Sequence, residues 1–125
     1  MIFDTDIFIW IQRGNERAAE LTDRYDQRYL SIFTYMELLQ GAKSKAQHKY
    51  IKEFLKDYGF IILSLTENIG HRASIYIEEY TLASHLRAGD AVVAATAVEN
   101  NMPLVSSNAK HFRHVKDLRL KVFKP

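Results

Sequence analysis

The chain has 125 residues, 47% of them apolar, and a formal charge of only +2. This length supports one hydrophobic core, so a single domain over residues 1–125 is expected, and no stretch approaches the ~18 consecutive apolar residues of a membrane span. There is no cysteine, which excludes disulfides, thiolate catalysis and thiolate metal sites; with no basic, apolar leader either, a cytoplasmic location is expected.

Residues 2–5 read as a buried strand, followed by a short helix over 6–12 that Asp6 is placed to cap. Arg13-Gly14-Asn15 breaks it, and 16–27 reads as a polar helix with Ala18, Leu21 and Tyr25 on one face. Tyr29 to Ile32 forms the second strand. Thr34 and Glu37 have the spacing of a capping box at the start of a helix to about Lys43. A further helix covers 46–58 and ends at Gly59, Phe60 to Leu63 is the third strand, and Thr66 opens a helix through about Leu82. Ala91 to Val98 is apolar almost all round and should be the most buried helix. Met102-Pro103 turns the chain into a fourth strand, Leu104 to Ser106, and Leu120 to Val122 reads as a fifth. Strands alternating with helices need crossovers, which predicts an α/β fold with a mostly parallel sheet of four to five strands and helices on both faces.

Three carboxylates stand at helix starts. Asp4 ends the first strand, Glu37 lies just after the second, and Asp90 precedes the buried helix. In a parallel sheet the strand-to-helix junctions share one edge, so these acids can converge there, and crowded carboxylates suit a hard cation such as Mg²⁺ or Mn²⁺. Each also has an ordinary explanation as a helix cap, and on the residues alone both readings stand.

Together the segments Phe3-Asp4-Thr5-Asp6, Ser31 to Leu38 (SIFTYMEL), Leu86 to Ala97 (LRAGDAVVAATA) and Leu104 to Phe112 (LVSSNAKHF) resemble the PIN-domain family, in particular the VapC-type toxin ribonucleases. The tail FRHVKDL, residues 112–118, is also similar to the family's ending. The resemblance spans nearly the whole chain and implies a three-layer α/β/α fold. It implies an endoribonuclease dependent on Mg²⁺ or Mn²⁺, with Asp4, Glu37 and Asp90 as the catalytic and metal-binding acids and Thr5, Ser106 and Asn108 as lesser polar contributors. Asn108 stands where many members carry aspartate, which bears on whether one metal or two is held. The implied partners are a transfer or ribosomal RNA, a cognate antitoxin, and a second copy of the chain in a homodimer.

From Asn108 onward there are six Lys or Arg residues against one acid, Asp117. Within this arm, Lys110, Arg113 and Lys116 are candidates for gripping an RNA backbone. A second basic stretch is Lys43, Lys45, His48, Lys49 and Lys52. His111 and His114 read as solvated surface, and Tyr50, Phe54, Tyr58, Tyr76 and Tyr80 as core or interface, with Trp10 and Ile11 as further interface candidates. A phosphorylated receiver domain would need an acid at the end of its third strand, where this chain has Leu63-Ser64-Leu65. The remaining alternative is a PIN fold that binds RNA or protein with weak or lost cleavage.

Overall fold

The computed structural model describes residues Met1 to Pro125. In chain order the elements are β1 (Ile2–Phe3), α1 (Thr5–Gln12), α2 (Glu16–Asp23), β2 (Arg28–Ser31), α3 (Ile32–Gly41), α4 (Lys45–Asp57), β3 (Phe60–Leu63), α5 (Glu67–Ser84), α6 (Ala88–Glu99), β4 (Leu104–Ser106), α7 (Ala109–Phe112) and β5 (Leu120–Val122). The strands make one sheet in the order β3-β2-β1-β4-β5, and every pairing is parallel. This is the expected α/β sheet at five strands.

Alternation along the two innermost strands builds the layers. Successive strand side chains point to opposite faces. Ile2 and Leu104 pack with Ala73 and Tyr76 of α5 and with Val93, Ala94 and Ala97 of α6. Phe3 and Val105 turn the other way, onto Ile7 and Phe8 of α1, Ala18 and Leu21 of α2, Leu38 of α3 and Ile51 of α4. The fold therefore has three layers, α/β/α. On the second face Phe60 meets Phe3 at 5.6 Å and Phe8 at 5.1 Å between ring centroids, in tilted and edge-on arrangements that aromatic quadrupoles favour.

Helix starts depart from the sequence expectation in three instructive places. β1 stops at Phe3 rather than at residue 5, because Asp4 caps α1: its Oδ1 accepts the Thr5 N–H at 2.8 Å. Asp6, the expected cap, lies inside the first turn. β2 ends at Ser31, whose Oγ accepts the Phe33 N–H at 3.1 Å and starts α3 three residues before Thr34. The Thr34/Glu37 spacing is thus not a capping box, and Glu37 sits mid-helix. α6 begins at Ala88, so Asp90 is in its first turn, where its Oδ2 accepts the Arg87 N–H at 3.2 Å. α2 is shorter than read, ending at Asp23 and leaving Tyr25 outside it.

Of the aromatic set read as core or interface, Tyr76 is buried and Phe54 is half-buried between Tyr50 and Tyr58, which are themselves 60% and 43% exposed. Away from the sheet edge, Arg72 of α5 contacts Glu99 of α6 at 2.5 Å and Asp117 at 2.8 Å, and Asp117 also accepts from the Tyr76 hydroxyl at 3.1 Å. This half-exposed network ties the segment before β5 to the α5/α6 layer. No helix is long and apolar enough to cross a membrane.

Candidate active site

The parallel sheet decides which residues meet. Asp4 leaves the carboxyl end of β1 directly. α3 leaves that same edge after β2 and carries Glu37. α6 follows a helix rather than a strand, but it leads down to the amino end of β4 and so starts at the carboxyl edge, with Asp90 in its first turn. Ser106 and Asn108 follow at the end of β4. A cleft of about 350 Å³ on this edge is lined by Asp4, Phe33, Glu37, Arg87, Gly89, Asp90, Val93, Asn108 and His111. Asp4, Glu37, Asp90 and Asn108, far apart in sequence, thus share one concavity.

Asp4 forms its floor and is 6% exposed. Its two oxygens are held from opposite sides, Oδ1 by the Thr5 N–H and Oδ2 by the Ser106 hydroxyl, each at 2.8 Å. Ser106 is in turn fixed because its Oγ accepts the Asn108 N–H at 3.0 Å. Burial pushes the Asp4 carboxyl up from its ordinary 3.8 to about 7; the charge of Asp6 and, more weakly, that of Asp90 add to this, while the Ser106 and Thr5 hydrogen bonds oppose it. A carboxylate this dry and this close to other acids is poised to take either a proton or a cation.

Thr5 links Asp4's backbone to Glu37. Its hydroxyl donates to Glu37 Oε1 at 2.6 Å and lies 3.1 Å from the buried Thr34 hydroxyl. Thr34, read from sequence as a cap, instead braces Thr5. Asp6 points to the loop after β4, where its Oδ2 accepts from the Ser107 N–H at 2.8 Å and from the Ser107 hydroxyl, while its Oδ1 is buried without a donor. That contact pins the β4–α7 turn under Asn108.

No three carboxylate or imidazole groups stand close enough to bind one ion together. The donors are nonetheless all hard oxygens, the type Mg²⁺ accepts when it keeps several waters and takes only one or two carboxylates directly. Buried Asp4, held near neutrality by its own desolvation, fits a hydrated divalent ion better than a dehydrated cage.

Lys110, Arg113 and Lys116 are exposed, and none lines the cleft. Two lining residues were not anticipated. Arg87 is the one Lys or Arg on the cleft wall, three residues ahead of Asp90. His111, expected as solvated surface, lies with Nδ1 3.4 Å from Asp90 Oδ2. The reason is α7: it is a single turn, so burying Phe112 swings its neighbour His111 back over the cleft. The usable signal was position, three residues after Asn108, rather than any His spacing. His114 is exposed as expected.

A family model described as "PIN domain" matches residues 1–118. Ribonuclease VapC of Rickettsia bellii is 27% identical, covering 96% of this chain and 93% of its own length. Ribonuclease VapC1 of Rickettsia felis is 28% identical over the same shares. Among solved structures, a toxin–antitoxin complex from Klebsiella pneumoniae superposes with a TM-score of 0.80 at 28% identity, covering 94% of this chain and 93% of that one. VapBC2 of Rickettsia felis, solved with a promoter DNA fragment, matches in fold with a TM-score of 0.77 at 22% identity, over 99% and 100%. With the family model spanning nearly its whole length, the chain belongs to the PIN-domain family.

Proposed function

We propose that this protein is a metal-dependent endoribonuclease of the VapC type, the toxin of a cytoplasmic toxin–antitoxin pair. The observation that carries the reading is the meeting of Asp4, Glu37 and Asp90, from three separate elements, in one cleft beside a single unpaired arginine. Asp4, Glu37 and Asp90 would hold a hydrated Mg²⁺ or Mn²⁺, one or two of them directly and the rest through its waters. Such an ion, when bound, supplies an activated water and offsets charge developing on the scissile phosphate.

The chain's own residues do the rest. Ser106 and the Thr5 N–H fix both oxygens of Asp4, so the carboxylate cannot swing away when its charge is restored. The Thr5 hydroxyl holds Glu37 in position. Arg87, with its planar fork of donors, is the cleft's means of taking hold of a phosphate oxygen, which the acids alone would repel. No side-chain nucleophile is needed, and no Ser, Thr, Cys or Lys lines the cleft. Asn108 contributes an amide where a fourth carboxylate would bind a second cation more strongly, which favours one metal.

Lys110, Arg113 and Lys116, exposed on the arm after Asn108, would grip the RNA strand that enters the cleft. The substrate we favour is a transfer or ribosomal RNA. A cognate antitoxin would restrain the enzyme, and a groove of about 280 Å³ between α1, α3 and α4 supports that part of the reading: it is largely apolar and shares Glu37 with the cleft wall. Its neighbour Ile11 lines an apolar indentation on the same side, whereas Trp10 lies under the Arg13 guanidinium. The toxin would act as a homodimer.

Purified protein incubated with total RNA and Mg²⁺, with EDTA and with Asp4→Ala and Asp90→Ala variants as controls, tests the reading when the cut ends are mapped. Cleavage that needs both the metal and the acids supports it. Tight RNA binding without cleavage by the wild type would instead make this a binding module of the same fold.

A further inference from the structure

We propose that His111 is a positioning residue for Asp90, holding one of its oxygens through an Nδ1–H so that the other is presented to the cleft. The inference rests on the reading of Asp90 as a metal-binding acid and adds a residue to it. His111 Nδ1 is buried, has no hydrogen-bond partner of ordinary length, and stands 3.4 Å from Asp90 Oδ2. The same Oδ2 accepts the Arg87 backbone N–H at 3.2 Å. One oxygen of Asp90 is therefore approached from two sides, by its own helix start and by α7, while Oδ1 is left free of both.

The chemistry selects the tautomer. A bare nitrogen lone pair facing a carboxylate oxygen at this distance, out of water, is repulsive, whereas an N–H there satisfies both groups. The neutral ring must then carry its proton on Nδ1, the opposite of the tautomer that a free histidine side chain favours in water. The backbone that carries the ring is anchored, because Phe112 beside it is 1% exposed and locked in the core. On the other side of the α6 start Gly89 has no Cβ, and an added one would lie 2.5 Å from the Phe33 ring, so the turn that carries Asp90 is packed closely against α3. Outer partners that orient a metal-binding group in this way commonly change metal affinity or activity by about 10- to 100-fold when removed.

Two measurements test this, one of them without metal or RNA. Long-range ¹⁵N–¹H correlation spectra of the metal-free protein at mildly alkaline pH report which ring nitrogen is protonated. The Nδ1–H form is expected in the wild type, reverting toward Nε2–H in Asp90→Ala; an Nε2–H ring in the wild type overturns the proposal. Mn²⁺ titration followed by electron paramagnetic resonance then compares four proteins. His111→Asn keeps an N–H near the Nδ1 position and should bind Mn²⁺ as the wild type does, while His111→Gln, which reaches only toward Nε2, and His111→Ala should bind about 10-fold or more weakly. Equal affinity in wild type and His111→Ala, or rescue by Gln and not Asn, refutes the role. A wild type that shows the Nδ1–H form but takes up no Mn²⁺ overturns the metal-dependent reading and leaves the Asp90–His111 contact standing.

Discussion

Replacing Asp4 by asparagine isolates the cost of burying a charge at the floor of the cleft. Its pKa rises from 3.8 to about 7 on folding, and at 1.36 kcal/mol per unit that is a penalty of about 4 kcal/mol. The folded state binds this proton more tightly than the unfolded chain, so wild-type stability must fall as pH climbs from about 4 to about 7, with the penalty complete above 7. The asparagine of the Asp4→Asn variant carries no such charge. It keeps an oxygen for the Thr5 N–H, and the Ser106 hydroxyl can turn to accept from its amide. In EDTA, Asp4→Asn should therefore be more stable than the wild type by up to about 4 kcal/mol above pH 7, with the gap closing toward pH 4. At roughly 4 °C per kcal/mol for a domain of this size, the melting temperature would rise by up to about 16 °C. Urea melts at a series of pH values measure the gap directly. Adding Mg²⁺ at a hundredfold excess over its dissociation constant should raise the wild type alone, by about 2.7 kcal/mol. Parallel stability curves for the two proteins from pH 4 to 8 would refute the argument, since they would mean that Asp4 is not desolvated.

Thr5→Val keeps the branched shape but removes the hydroxyl 2.6 Å from Glu37; a hydrogen bond to a charged group is worth about 1.5–3 kcal/mol, so the melting temperature should fall by several degrees and RNA cleavage should slow at least tenfold, and an unaltered rate would count against a positioning role. Gly89→Ala should gain up to about 1 kcal/mol of helix propensity but drive the new methyl into Phe33, 2.5 Å away; the rate should fall several-fold, and adding Phe33→Ala should restore part of it. Asn108→Asp brings a fourth carboxylate to the cleft and should lower the half-saturating Mn²⁺ concentration while destabilising the metal-free protein; an unchanged metal titration would show that this position does not face the ion.

The sheet was readable because each strand is a short apolar run between helices of the right length, and parallel order follows from the crossovers. Helix starts were harder to read, since several polar residues compete for each one. Asp4, Thr5 and Asp6 are all acceptable caps by type; the closing of the chain onto β4 selects Asp4, because Ser106 and Ser107 capture Asp4 and Asp6 differently. Thr34 and Glu37 matched a capping motif by spacing, yet Ser31 had already ended the strand. The convergence of Asp4, Glu37 and Asp90 on one edge was foreseeable from topology. His111 and Arg87 were not, for their places depend on the one-turn length of α7 and the entry into α6, which are tertiary outcomes without a local pattern.

β1 lies at the centre of the sheet, paired on one side with β2 and on the other with β4, Ile2 facing Tyr29 and Leu104. A chain emerging from the ribosome therefore delivers the middle strand first and must wait for the segment around Ser106 before that strand has both neighbours. Until then Asp4 has no Ser106 beneath it and Asp6 has no turn to pin. Residues up to the end of β4 must be made before the cleft can form, so under the proposed function a chain cut short before Ser106 would not cleave RNA. The long-range pairing that slows folding would also delay that activity until β4 has been made.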